Sequence, residues 1–282
     1  MKFSIIIPTC HRNDLLAKCL DCLAPSVQTV PPEQYEVIVT DDGSHSTAEL
    51  MVREQYPWAI WVLGPCLGPA SNRNKGAKEA QGEWLAFTDD DCLPSPGWLE
   101  AYLSATASED NVYEGKTTCE AGIRSPLEIS PINHSGGLLW SCNMLVRKAM
   151  FEKAGGFDDR FPDAAGEDIE FRERIKRLGY EYPFVENAIV DHPPRREPPG
   201  RKQGARLESQ VHLWYKFGKH SYCRNQLLVH IKCRLRRILD YPVCLDSILA
   251  ILSLISELAY VSVRIKDWEK KYASMYRDSQ KV

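Results

Sequence analysis

Three consecutive carboxylates, Asp89, Asp90 and Asp91, follow the apolar run Trp84, Leu85, Ala86, Phe87 in the stretch EWLAFTDDDCL. Negative charges this close raise one another's pKa, and a divalent cation with oxygen ligands is the simplest partner that keeps them ionised. In an extended chain Asp89 and Asp91 point to the same side, as two ligands of one ion must. The plainer alternative is a solvated aspartate turn at a strand end. A second acidic pair, Glu167-Asp168, opens a helical pattern with Phe171, Ile175 and Leu178 on its apolar face and Gly179 as its stop. At a helix start such a pair can merely cap, and the helix dipole lowers its pKa. Adjacent charges push the other way and restore basicity near neutral pH. His192 follows Asp191 after Val185 to Val190, which reads as the last strand of the body. An imidazole there can ligate a metal or form a satisfied structural pair. Arg73 and Lys75 fall in the first turns of another helix, where basic residues oppose the dipole unless an anion such as a phosphate is close.

The elements that must carry these groups follow from periodicity. The run KFSIIIP predicts a buried first strand stopped by Pro8. Leu16, Cys19, Leu20 and Leu23 then keep helical spacing after a cap at Asn13 or Asp14. A second strand, Tyr35 to Thr40, ends in Asp41-Asp42-Gly43-Ser44. Right-handed crossover brings Thr9 and Asp42 to one edge of a parallel sheet. A helix near 47–55, a strand over 59–63 and a helix from Ala70, with Gly76, Ala77 and Ala80 for close packing, lead to the aspartate strand. Strands alternating with helices in this way predict an α/β fold with a mostly parallel, doubly wound sheet and a crevice at the aspartates. After Trp98 the pattern becomes α+β, with strands near Val112 to Cys119 and Leu138 to Arg147 and a helix ended by Gly155-Gly156.

At 282 residues, 44% hydrophobic and 26% charged, the chain has apolar content for one large domain, alone or with an appendage. Its net charge of -3 hides a split: Arg195 to Arg237 holds 12 Lys+Arg against 2 Asp+Glu, and the remainder 23 against 36. The basic segment suits an anionic ligand or a membrane surface, and no nucleic-acid motif accompanies it. The ten cysteines are scattered and read as reduced; Cys19 and Cys22 lie in a helix without further zinc ligands. Phe3 to Ile7 is too short for a signal peptide, so a cytosolic start is expected. The stretch HPPRREPPGRKQG reads as a mobile basic loop, either a solvated linker or a flap whose Arg195, Arg196, Arg201 and Lys202 close over an anion. Farther on, Leu228, Ile231, Leu235 and Ile238 form an apolar stripe opposite Lys232, Arg234, Arg236 and Arg237. Cys244 to Val263 is apolar for about a bilayer's width but is interrupted by Asp246 and Glu257. This predicts a helix lying on an anionic membrane, or packed on the body or a second subunit, rather than crossing a bilayer. Trp268 and Tyr272 are candidate interfacial anchors.

Four landmarks stand in one order: SIIIPTCHR, EVIVTDDGS, NRNKGAKEAQGEWLAFTDDDC and GGFDDRFPDAAGEDIEFRERIKRLGY. In order and spacing they resemble family 2 glycosyltransferases of the GT-A fold, over about Met1 to Pro193. The resemblance implies a GT-A catalytic domain over 1–193, and the basic loop and amphipathic helical tail read from the residues fill 194–282. It also implies a nucleotide-diphospho-sugar donor and Mn2+ or Mg2+. Thr9 and Asp42 match nucleoside contacts, Arg73 a base contact, and Asp90 a place in the donor site. Asp89 and Asp91 match the outer members of the DxD motif, Asp91 being the more direct ligand, and His192 a third ligand seen in some relatives. Cys92 stands where members often carry another acid, a departure that leaves those ligands in place. Glu167 and Asp168 match the acidic pair that includes the base of inverting members, with Asp168 preferred.

The implied reaction is transfer of the sugar to a hydroxyl of a glycan, a lipid-linked or another acceptor. Trp140, Asn143 and Phe161 are candidates for the acceptor wall. Two rivals remain: a sugar-1-phosphate nucleotidyltransferase, which would carry a Gly-rich loop where this chain has PTCHRNDLL, and a nucleotide-sugar-binding protein without turnover. The expected location is cytoplasmic, peripheral on the cytoplasmic face of a membrane.

Overall fold

The computed structural model describes every residue except 46, 109, 162–164, 219–222 and 278–282. Its elements are β1 (Phe3–Thr9), α1 (Asn13–Leu23), β2 (Tyr35–Asp41), α2 (Glu49–Gln55), β3 (Ala59–Leu63), α3 (Pro69–Glu79), β4 (Trp84–Thr88), β5 (Leu93–Pro94), α4 (Trp98–Ala105) and β6 (Val112–Thr118). They continue with β7 (Glu128–Ile129), β8 (Asn143–Arg147), α5 (Lys148–Ala154), α6 (Glu167–Arg177), β9 (Phe184–Asp191), β10 (Arg195–Arg196), α7 (Gly200–Lys216), α8 (Cys223–Leu239) and α9 (Leu245–Tyr276). The chain divides into two units, residues 1–121, 131–160 and 167–193, and residues 122–130, 161–166 and 194–282.

The first unit is built on one eight-stranded sheet of order β3-β2-β1-β4-β8-β6-β9-β5. The β1 to β4 strands are parallel, β8 runs antiparallel between β4 and β6, and β9 lies parallel to β6. The expectation of an α/β fold on a mostly parallel, doubly wound sheet therefore stands, as a mixed sheet. Alternation along each strand makes the two layers. Phe3, Ile5, Ile7, Val37, Val39 and Ala86 join the core shared with α1 and α4, while Ile6, Ile38, Leu85 and Phe87 join that of α3, α5 and α6. In the second layer Phe87, Phe151, Phe157 and Phe171 pack with ring centroids 5.1 to 5.6 Å apart. Gly76 lets α3 settle on β1, since a Cβ there would lie 2.5 Å from Ile6 Cγ2.

Several expectations need correction. No side chain caps α1: its cap residue is Arg12, and Asn13 instead donates to the Thr47 carbonyl. Leu178 is exposed, because α6 has ended at Arg177 and the helical face no longer continues. Asn143 cannot line an acceptor wall. It is buried, its Oδ1 accepts from Trp98 Nε1 at 2.9 Å and Tyr102 Oη at 2.8 Å, and its Nδ2 donates to the Lys116 and Ala188 carbonyls at 2.9 Å each. That uses the whole amide to tie α4, β6, β8 and β9 together.

In the second unit β7 pairs antiparallel with β10, so Arg195 and Arg196 sit in a ribbon, and α7 begins at Gly200. The stretch expected as a mobile loop is thus largely regular structure. Gly200 and Gly204, one turn apart, bring α7 against α9: a Cβ on Gly200 would lie 2.5 Å from Ser256 Cβ, and one on Gly204 3.0 Å from Tyr260 Cδ1. Leu207 and Val211 of α7 bury Val261, Trp268, Tyr272 and Tyr276 of α9. Trp268 and Tyr272 are core residues here, not interfacial anchors. Phe161 belongs to this core as well: His212 stacks on Phe161 and on Tyr272, at 4.4 and 4.5 Å between centroids.

The basic stripe of α8 is also divided. Arg234 is buried and ion-paired with Glu197 and Glu257, and Arg237 bonds Glu197 at 2.6 Å. Lys232 and Arg236 are exposed, and so are Leu228 and Leu235. Sequence periodicity sorts residue types by face but does not reveal that acids distant in sequence draw two arginines inward. Cys10, Cys19, Cys22, Cys66, Cys92, Cys119, Cys142, Cys233 and Cys244 are free thiols.

Candidate active site

The carboxyl ends of β1, β2 and β4 open at one edge of the sheet, the place where a doubly wound fold leaves a crevice. Thr9, the last residue of β1, donates from Oγ1 to Asp90 Oδ2 at 2.7 Å. Three residues on, Arg12 reaches back over the aspartates, with Nε 3.1 Å from Asp90 Oδ2 and Nη1 3.0 Å from Asp91 Oδ2. Burial pushes the Asp90 carboxyl up to about 7 although Arg12 and Thr9 favour its charged form. The fit of β1 to β2 is completed by the Asp42 amide, which donates to the Thr9 carbonyl at 2.9 Å. Asp41 faces inward and accepts from Gly43 N–H and Trp61 Nε1 at 2.8 and 3.2 Å. Asp42 accepts from the amides of Cys66 and Gly68 at 2.9 and 3.0 Å, holding the 64–68 loop beside the strand ends. Gly64 is required there, because a Cβ would fall 2.1 Å from Asp42 Oδ1. Burial raises the Asp42 pKa against the effect of those two bonds.

The start of α3 supplies three consecutive polar residues with separate duties. Asn72 Nδ2 donates to the carbonyls of Thr40 and Thr9 at 2.8 and 3.3 Å. Asn74 exchanges two 2.8 Å bonds with the Phe157 backbone. Between them Arg73 is buried, its guanidinium 5.7 Å from the Phe157 ring centroid, with Nη2 2.5 Å from Asp89 Oδ1 and Nη1 3.1 Å from Glu167 Oε1. Burial opposes this cation, and the two carboxylates more than compensate, raising its pKa. Lys75 is elsewhere: it pairs with Glu79 at 2.6 Å on the surface.

Arg73 thus joins the aspartates that follow β4 to the acidic pair at the head of α6. Glu167 is buried and pushed up to about 7, first by burial and then by its neighbour Asp168, with Arg73 opposing. Its Oε2 is buried without a partner among the described residues. Asp168 is half-buried and accepts the Ile169 N–H at 2.8 Å; burial raises its pKa too. At the end of β9, His192 is buried with Nε2 3.3 Å from Asp91 Oδ1 and Nδ1 3.0 Å from the Pro193 carbonyl. Burial works against the imidazolium, but Asp91 overrides it and lifts the pKa to about 9.

This donor set fits a hard divalent ion. A carbonyl at Nδ1 requires a proton there, which leaves the Nε2 lone pair for a cation in the neutral ring. Asp91 and His192 offer ligand atoms within 4.8 Å of each other, together with Cys92. Burial holds the Cys92 thiol well above its ordinary pKa, so it stays protonated and a poor ligand. Asp89 lies outside that group of ligand atoms, and its Oδ1 pairs with Arg73 at 2.5 Å.

The structure therefore gathers Thr9, Arg73, Asp89, Asp90, Asp91, Glu167, Asp168 and His192 around one crevice, with Asp42 at its β2 side. Arg12, Asn72 and Asn74 were not anticipated. Three adjacent carboxylates demand counter-charge, and Arg12 is the first strong base after the neighbouring strand; that was the available signal.

Residues 4–122 match the sequence profile described as Glycosyl transferase family 2. The chain is 29% identical over 234 residues to Glycosyltransferase AglE of Haloferax volcanii, covering 75% of this chain and 73% of that one. It is 30% identical over 219 residues to Validoxylamine A glucosyltransferase of Streptomyces hygroscopicus subsp. limoneus, covering 62% and 48%. The solved Mannosyltransferase PcManGT from Pyrobaculum calidifontis, in complex with GDP-Man and Mn2+, superposes with a TM-score of 0.58 at 16% identity over 100% of this chain and 88% of that one. S. aureus TarS 1-349 superposes at 0.55 with 18% identity over 99% and 92%.

Proposed function

The chain is a family 2 glycosyltransferase of the GT-A fold, and on that premise we propose that it is a metal-dependent, inverting enzyme. It moves a sugar from a nucleotide-diphospho-sugar to a hydroxyl of a glycan, a lipid-linked or another acceptor. We assign catalysis to residues 1–193, and to residues 194–282 a supporting role at an anionic membrane surface. The observation that carries the reading is Arg73, which ties Asp89 to Glu167 and so brings the donor strand and the acidic pair into one site.

Asp89, Asp91 and His192 would hold Mn2+ or Mg2+, which when bound neutralises the diphosphate and stabilises it as a leaving group. Thr9, Asp42, Arg73 and Asp90 surround the nucleotide. Arg12 supplies positive charge on the opposite side of the aspartates and keeps their excess in check. Asp168 is the base: Glu167 is committed to Arg73, whereas Asp168 is half-exposed and burial raises its pKa, making it a stronger base than an ordinary aspartate. Asp168 takes the proton of the acceptor hydroxyl as the hydroxyl oxygen bonds to the anomeric carbon. The carbon–oxygen bond to the diphosphate breaks on the other face, its electron pair leaves with the phosphate oxygen, and the configuration inverts.

Screening nucleotide sugars for Mn2+-dependent thermal stabilisation identifies the donor. In the same assay Asp91→Asn should keep the fold and lose more than about a hundredfold in metal-dependent donor binding, since a charged oxygen ligand becomes neutral. Unchanged metal affinity in that variant would overturn the assignment.

A further inference from the structure

The C-terminal unit carries an apolar face that nothing in its own fold covers. On α9 the exposed residues are Leu245, Ile248, Leu249, Ile251, Leu252, Ile255 and, farther along, Val263; on α8 they are Leu228, Val229, Leu235 and Leu239. Between the two helices Val243 is 93% exposed, and Leu239 and Leu245 beside it are 81% and 70% exposed. Monomeric soluble proteins rarely leave so many large aliphatic residues contiguous in water. The α9 helix is 32 residues long and apolar enough to cross a membrane by length and composition, yet only 22% of its most apolar stretch is buried.

Two features decide how this face is used. The opposite side of α9 is already committed: Glu257 is buried with His230 Nε2 at 2.5 Å and Arg234 at 3.6 Å, and Trp268, Tyr272 and Tyr276 pack in the core with α7. Crossing a bilayer would strip these partners away and place a carboxylate in hydrocarbon, where such groups are costly. Entry tip first is opposed by Asp240, exposed at the α8–α9 turn, and by Asp246, which is tied to Ser125 at 2.6 Å. What remains is contact along the length of the hairpin. The exposed bases support it: Lys232 and Arg236 flank Leu228, Leu235 and Leu239 on α8, and Lys266 follows Val263 on α9. An apolar stripe bordered by lysine and arginine is the composition that sinks to the level of the acyl chains while its cations meet anionic headgroups.

We propose that the outer face of the α8–α9 hairpin lies flat in the interface of an anionic bilayer, using Leu245, Leu252 and Ile255 as insertions and Lys232 and Arg236 as headgroup contacts. Arg234 and Arg237 take no part, being held by acids of the same unit. This deepens the membrane placement made above and rests on it.

Flotation of the full chain with phosphatidylcholine vesicles, with and without phosphatidylglycerol, tests both levels. The chain should float with phosphatidylglycerol and be released by salt. Lys232→Gln with Arg236→Gln should weaken partitioning by about thirtyfold. Leu245→Asn with Leu252→Asn and Ile255→Asn should abolish it, with an unchanged thermal melt because all three side chains are exposed. If the full chain ignores anionic vesicles, the membrane placement itself fails. If it floats and the asparagine variant floats equally well, the membrane placement survives and this face is wrong. Resistance to alkaline extraction with protease-protected residues would make α9 a span and overturn the flat arrangement. A dimer by light scattering that the asparagine variant converts to monomer, without vesicle binding, would give the face to a second copy.

Discussion

Two arginines in this chain are almost fully buried between carboxylates, and they teach opposite lessons. Arg73 joins Asp89 to Glu167, and Arg234 joins Glu197 to Glu257. Around Arg73 the charges do not balance: Asp89, Asp90, Asp91, Glu167 and Asp168 face Arg12, Arg73 and His192 among the described residues. Around Arg234 the two acids Glu197 and Glu257 face the two arginines Arg234 and Arg237, and the His230 imidazole bonds Glu257. In the first cluster burial pushes Asp90 and Glu167 up to about 7. In the second it lowers the pKa of Arg234 and Arg237, the cost falling on the cations. A balanced buried cluster is a lock between elements, whereas one with surplus carboxylate, open at a sheet edge, has room for another cation and for a proton that must move.

The largest effect that would break this contrast is expected from the acidic pair. Asp168→Asn should lower kcat by about a hundredfold to ten-thousandfold while donor affinity, read by calorimetry with Mn2+, stays nearly constant, because the base acts on the acceptor. Near-normal turnover would reduce Asp168 to a helix cap. The balanced cluster should behave in the opposite manner. Arg234→Met leaves Glu197 and Glu257 buried and short of a partner, and should cost ~3–5 kcal/mol of stability in a urea melt with little change in the turnover of the folded protein. Loss of activity without loss of stability would show that this cluster, too, is functional.

The contrast also explains what was legible in the sequence. Strand ends, the doubly wound start and the nearness of Thr9, Asp42 and the aspartates follow from short-range periodicity and one topological rule, and the structure has them in place. Arg12 was overlooked since its role depends on a carboxylate 78 residues away in the chain. Asn143 looked like a sugar contact because its type suits one, and only the third dimension shows Trp98, Tyr102, Lys116 and Ala188 using its whole amide. The segment from His192 to Gly204 reads as a mobile loop because proline and glycine usually punctuate; here Gly200 and Gly204 are the small contacts that let two helices meet. For the same reason Arg234 could not be told from Lys232 and Arg236. Each of these four misses concerns a polar or small residue whose partner is remote, where residue type alone has no direction.

The subtlest consequence lies in pH. The pKa values of Glu167 and Asp168 are both raised by burial, so the carboxylate needed to accept a proton is lost as pH falls, and kcat should decline about tenfold per unit on an acid limb that lies above the ordinary carboxylate range. Glu167→Gln removes a negative neighbour and releases Arg73 from one of its two partners. Less repulsion, and a guanidinium more available to Asp168, both favour the ionised form, so the acid limb should move to lower pH while turnover at high pH is largely kept. A limb that stays where it was would assign the titration to a group outside the pair, with Asp90, also raised by burial, the next to be replaced. In the balanced cluster Glu257→Gln should leave this limb untouched, which makes the acid limb the finest available measure of the difference between the two.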